Sequence, residues 1–187
     1  MDALEEAADF FKKELKKTLC PVYFETNRKV RKFVSNTEKN DTYFATNPIW
    51  AGFCNLKRHS MEKYNLPKCF IFIDRTKWSI YTLVYVLFHE QGHFDRYLNK
   101  KSKLYLSKEE EYYADMFAFK KIIEIDKNPL ISENLKHSLA TAAISHIHCL
   151  CSLKTFHGAA ARKIMKTVQH KILCKKAYRT QGEPYGN

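Results

Sequence analysis

The stretch from Ile80 to Phe88 is the longest apolar run in the chain, and it passes without interruption into His89-Glu90-Gln91-Gly92-His93. The spacing predicts a helix over residues 77–98 whose first half is apolar on nearly all sides, and such a helix belongs at the centre of a fold. Two histidines and an acid on its continuation therefore sit where polar groups are costly unless they have partners. A strand is expected just before it, at residues 68–74 (KCFIFID), where aromatic and branched residues are closed by an aspartate. That strand is also expected to offer an edge to an extended peptide.

On a helix, positions i and i+4 share one face about 6 Å apart along the axis. Imidazoles at 89 and 93 can thus converge on one Zn²⁺, with Zn–N distances of about 2.0–2.1 Å. Glu90 stands beside that face, where it can reach a water at the metal without ligating the ion, which is the H-E-x-x-H pattern. Two histidines one turn apart also occur as structural residues. The preceding buried run and strand, and a third ligand downstream, favour the metal.

Zinc catalysis needs three protein ligands and an open position. In the segment Glu111-Tyr112-Tyr113-Ala114-Asp115-Met116-Phe117-Ala118, the residues Glu111, Ala114, Asp115, Ala118 and Ile122 fall on one helical stripe. Two carboxylates and two alanines are odd for a plain core stripe. Ligation explains Glu111, and a hydrogen bond to a ligand histidine explains Asp115. The alanines let this helix approach the motif helix closely. A solvated acidic run at a helix N-terminus accounts for Glu109 and Glu110. Gly92, costly inside a helix, points to something packed tightly against it.

The mechanism these residues imply is hydrolytic. Zinc activates water and polarises a carbonyl, while Glu90 takes the proton and passes it to the leaving amine. A further donor for the tetrahedral intermediate is expected from Tyr113 or His146, with Tyr112 and His148 as other candidates. His146 shares a stripe with Leu135, Leu139, Ala142, Cys149/Leu150 and Leu153 and so points inward, where a histidine is also at home as a core residue. His146-x-His148-Cys149-x-Cys151 does not make a second metal site, because these side chains fan around one helix axis. His137, His157 and His170 read as isolated surface residues.

The string HEQGH…EYYADMFA resembles the ImmA/IrrE-type metallopeptidases, and His89-Glu90-x-x-His93 with Glu111-x-x-x-Asp115 is similar to the gluzincin arrangement. The likeness covers about 30 residues, from the 68–74 strand to Ala118. It implies a zincin-like fold, a zinc ligand set of His89, His93 and Glu111, and cleavage of regulatory proteins.

Elsewhere, residues 2–18 predict an amphipathic helix stopped by Pro21. Residues 22–58 read as β-type segments at Val22–Glu25, Val30–Val34 and Tyr43–Ala45. A helix over 107–125 opens on Ser107-x-x-Glu110, a third begins near Ser132, and a fourth runs from about Ala159 to Ala177 after a break at Gly158. The fold class that follows is α+β and zincin-like: a small N-terminal sheet, a central H-E-x-x-H helix and a helical C-terminal half. The 187 residues suit one domain, with sheet and active-site helices in 1–126 and a basic helical extension in 127–187.

With 45% hydrophobic residues and five glycines, the chain is neither disordered nor fibrous. No apolar run approaches the roughly 20 residues of a membrane span, and the N-terminus lacks a secretory h-region. The expectation is a cytoplasmic chain, with its six cysteines reduced and mostly buried. The net charge is +12, and residues 134–182 contain no acid at all. A basic C-terminal half of this kind favours nucleic acid or an acidic partner beside the protein or peptide substrate. A nucleic-acid-associated protein with a zinc site is the competing reading.

Overall fold

The computed structural model describes residues 2–35, 51–99 and 107–178. Helix α1 (Ala3–Lys16) starts at a reciprocal cap between Asp2 and Glu5 and buries Ala7 and Phe11. Strand β1 (Val22–Phe24) is followed by α2 (Arg28–Ser35). The strand expected at Val30–Val34 is therefore helical. Val30, Phe33 and Val34 are all buried at helical spacing, and the Asn27 side chain accepts a hydrogen bond from the Val30 amide at 3.1 Å, capping the helix. The segment Tyr43–Ala45 lies outside the described residues. Strand β2 (Ala51–Asn55), helix α3 (Arg58–Tyr64) and strand β3 (Cys69–Ile73) complete the N-terminal part.

The sheet order is β1-β3-β2, with β1 parallel and β2 antiparallel to β3. β3 is thus the central strand, and its backbone is paired on both sides. This corrects the expectation that it would present an edge. Its unbroken apolar sequence has the same cause: Ile71 and Ile73 face the main core with Phe53, while Phe70 and Phe72 face a second cluster with Val30, Phe33 and Cys54. A strand buried on both faces has no polar side to alternate with.

After a 3-10 turn at Arg75–Lys77, α4 (Ile80–Leu98) opens on Ser79, whose hydroxyl accepts from the Thr82 amide at 3.2 Å. Every residue from Leu83 to Glu90 is buried. Helix α5 (Lys108–Asp126) opens on Ser107, which accepts from the Glu110 amide at 3.2 Å. Helix α6 (Glu133–Cys151) opens on Ser132. The last predicted helix is two, α7 (Phe156–Ile164) and α8 (Val168–Ala177), because Thr167 caps a new start. Gly158 lies inside the first turn of α7 and is not the break. The chain is α+β and mostly helical, and no described helix is long and apolar enough to cross a membrane. All six cysteines are free, but only Cys20 and Cys54 are buried, fewer than expected.

Helix α4 runs against the sheet on one side and against α5 and α6 on the other. The α4–α5 contact is set by a glycine: a Cβ at Gly92 would lie 2.8 Å from the Ala114 Cα and 3.0 Å from the Phe117 Cβ. Clamps beyond it hold the two helices. Arg96 pairs with Glu110 at 3.0 Å and donates to the Glu109 carbonyl at 3.3 Å, and the Tyr113 hydroxyl donates to Asp95 at 2.6 Å. Replacing Gly92 by Ala would force backbone apart. The expected cost is about 1–3 kcal/mol, or a fall in Tm of about 2–4 °C per kcal/mol. A thermal melt of Gly92→Ala indistinguishable from the parent would refute this packing.

Candidate metal centre

Helix α4 presents His89 and His93 one turn apart, and α5 brings Glu111 across to them. His89 Nε2 lies 3.2 Å from His93 Nε2, and Glu111 Oε2 lies 3.3 and 3.7 Å from the same two nitrogens. Two ligands held about 2.0–2.1 Å from a tetrahedral ion stand roughly 3.3 Å apart. The three side chains therefore already have the spacing of one coordination sphere, and this buried group could hold a metal ion.

The orientation of His89 is determined by Asp115. His89 Nδ1 is 2.6 Å from Asp115 Oδ1, and an ionised carboxylate only accepts, so Nδ1 carries the proton. Its Nε2 is left facing Glu111 and His93, and would give up its own proton to offer a lone pair to a bound ion. Burial alone would lower the His89 pKa, but Asp115, then Glu111 and Glu90, hold it well above the usual value. Burial alone would likewise raise Glu111, yet His93, His157 and His89 hold its carboxyl well below the ordinary range. The centre is built to keep Glu111 an anion.

The fit to a cation shows at one atom. Glu111 is 1% exposed, and three imidazole nitrogens crowd its Oε2, but none is aligned for a hydrogen bond to it. A buried carboxylate oxygen left so is expensive. A shared cation would satisfy it together with both histidine nitrogens. Glu90, buried beside the group, also has an Oε2 without a hydrogen-bond partner. Burial pushes its carboxyl above the usual range against the pull of His89 and His93. It also lies within electrostatic reach of Cys54 on β2.

The third imidazole at Glu111 is His157, which the sequence reading placed at the surface. Its Nδ1 is 2.8 Å from Glu111 Oε2, while its side chain stays 47% exposed. Burial lowers its pKa, and Glu111 more than reverses this, leaving it raised. The first turn of α7 delivers it. Thr155 caps that turn through the Gly158 amide at 3.2 Å, and a Cβ at Gly158 would sit 2.0 Å from the Leu153 carbonyl oxygen. Arg162 ties the same junction down by donating to the Cys151 and Leu153 carbonyls at 2.6 and 3.1 Å. The Gly after His157 and the Thr two residues before it were the available signals, but neither says what the turn faces.

Two expected donors are elsewhere. Tyr113 is turned away to Asp95 and lies under Arg96. His146 is behind the centre, not in it, with its ring 5.1 Å from Tyr85 and 5.4 Å from Trp78. The buried stripe of α6 runs through Leu139, Ala143 and Ile147, a rotation that leaves His146 at its margin. There it lines a groove of about 670 Å³ with Lys77, Trp78 and Tyr81, to which none of His89, His93 and Glu111 contributes. Burial lowers its pKa to about 4, so it is neutral at physiological pH. Tyr112 lies beneath Lys163, and His148 faces His170. His170 is itself buried, stacked on Phe119.

The chain matches no protein-family model, no curated protein and no solved structure. The geometry therefore stands on its own. Purified protein dialysed against trace divalent metals should carry one ion per chain by elemental analysis. His89→Ala and Glu111→Ala should each lose it, and retention by either variant would remove that residue from the ligand set.

Proposed function

We propose that the chain is a zinc-dependent endopeptidase of zincin-like fold that hydrolyses an intracellular protein substrate. The observation that carries this is the convergence of His89 Nε2, His93 Nε2 and Glu111 Oε2, with an unpartnered Glu90 oxygen buried next to them. Two imidazoles and one carboxylate are a set that zinc favours in catalytic sites. The resemblance to the ImmA/IrrE-type metallopeptidases, carried by HEQGH and EYYAD, supports the same reading. Six free thiols suit a reducing compartment.

A bound zinc ion would supply Lewis acidity, polarising the scissile carbonyl and making water a competent nucleophile near neutral pH. The residues do the rest. Glu90 takes the proton of the attacking water on its free oxygen and returns it to the leaving amine nitrogen. A base needs an oxygen that is not already committed, and Glu90 Oε2 has no hydrogen-bond partner. His157, half-exposed beside Glu111, donates to the oxygen that gains charge as the carbonyl is attacked. It takes the role first assigned to Tyr113 or His146. Among the described residues β2 is an outer strand of the sheet and packs Phe53 against Phe94 and Tyr97 of α4. It is the strand placed to align an extended peptide.

Glu90→Gln should abolish cleavage of an unstructured protein substrate, by about 10²–10⁴-fold, while the ion stays bound. His157→Phe should lower kcat by about 10²-fold with little change in KM. A Glu90→Gln variant that still cleaves would defeat the assignment of the base.

The charge distribution favours a second reading, in which the peptidase works on proteins bound to nucleic acid. Lys154, Arg162, Lys163, Lys166, Lys171 and Lys175 are exposed on and around α7 and α8 with no acid among them. Duplex DNA binding should weaken with salt, the log–log slope growing by about 0.9 for each phosphate neutralised. Absence of binding at about 50 mM salt in a fluorescence titration dismisses this surface as a nucleic-acid site.

A further inference from the structure

One turn behind the metal-binding group lies a second polar pair that the proposed chemistry does not use. Tyr85 is wholly buried on α4, and its hydroxyl donates to Asp115 Oδ1 at 2.6 Å. This is the same oxygen that His89 Nδ1 donates to, also at 2.6 Å. The ring of Tyr85 packs against Phe119 at 6.1 Å and His146 at 5.1 Å. Phenylalanine would serve that packing equally well. A buried hydroxyl costs free energy unless it is bonded, so its partner on α5 is what the position requires of a tyrosine.

The placement is a matter of register. Tyr85 precedes His89 by four residues on α4, and Asp115 follows Glu111 by four residues on α5. Residues four apart lie on one helical face. The Tyr85–Asp115 bond is thus a rung one turn below the rung made by His89 and Glu111. A carboxylate held by one donor can swing about its terminal torsion. With two donors from successive turns of the facing helix, its oxygen is fixed. That fixes the ring plane of His89 and the register that carries Glu111 to the histidines.

Resting on the metal reading above, we infer that Tyr85 is a positioning residue for the metal centre: its hydroxyl clamps Asp115, and through Asp115 sets the His89 imidazole for ligation. Its effect is on the affinity of the site for the ion, and it touches neither ion nor substrate.

The test is zinc affinity of the full chain, stripped by chelator and titrated against a chromophoric competitor. Outer partners of metal-binding histidines contribute about 10–100-fold in affinity. Tyr85→Phe should therefore bind zinc about 10-fold more weakly, and Asp115→Asn more weakly still. The double variant should match Asp115→Asn, because the hydroxyl acts only through that carboxylate. Phe119→Leu, which disturbs the same packing without touching the bond, should lower Tm and leave zinc affinity unchanged. Tyr85→Phe with parental zinc affinity overturns the inference, whatever its Tm. So does an equal loss in the Asp115→Asn background. A folded parent protein that takes up no zinc is a different result, and sinks the metal reading itself together with this one.

Discussion

The approach of α4 to α5 at Gly92 is the constraint on which the rest of the structure depends. A helix pair normally keeps its axes 8–10 Å apart because side chains fill the space. Here a glycine meets the backbone of Ala114, with Ala118 one turn further along the same α5 face. Only at that separation can the short carboxylate of Asp115 reach His89, and Glu111 reach both imidazoles. The helices are then locked at the far end by Arg96, Asp95, Glu110 and Tyr113. The polar residues at the centre follow from a close approach that apolar residues of ordinary size would prevent.

Much of this was legible because it is local. His89 and His93, Glu111 and Asp115, and the alanines between them are tied by helical spacing alone, so a pattern along the chain implied a shared face. Strand β3 declared itself by composition. What was missed depends on contacts between distant segments. Val30–Val34 read as a β-type segment, although Val30, Phe33 and Val34 stand at i, i+3 and i+4, and their common burial with Phe70 shows the helix. His157 lies 46 residues beyond Glu111 and its own surroundings in sequence are unremarkable; the turn of α7 alone makes it a neighbour. Tyr85 was hidden in the opposite way, inside an apolar run where an aromatic residue needs no explanation.

The burial of four acids, Glu90, Glu110, Glu111 and Asp115, in so basic a chain is a further consequence of the same architecture. Buried charge survives only with paired or hydrogen-bonded partners. Glu110 has Arg96, and Asp115 has two donors. Glu111 has imidazoles at ion-pair distance but no aligned donor, and Glu90 keeps one oxygen with none. Satisfaction therefore falls off toward the centre of the group. A fold that merely tolerated buried acids would pair the innermost ones best.

That gradient separates two chemically identical side chains. Glu111 is held well below the ordinary carboxylate range by its ring of histidines, and Glu90 above it by burial. Carboxyls pushed apart in this way suit different roles, one held as an anion and the other with a greater affinity for a proton. The difference has a structural origin. Glu111 enters from α5 and lies against His89, His93 and His157 together, whereas Glu90 leaves α4 beside its own histidines and is buried without a partner for one oxygen. Helical geometry thus decides which acid faces the imidazoles. In the proposed peptidase, the division of labour between ligand and base would come from where each helix places its residue, with no difference in the residue itself.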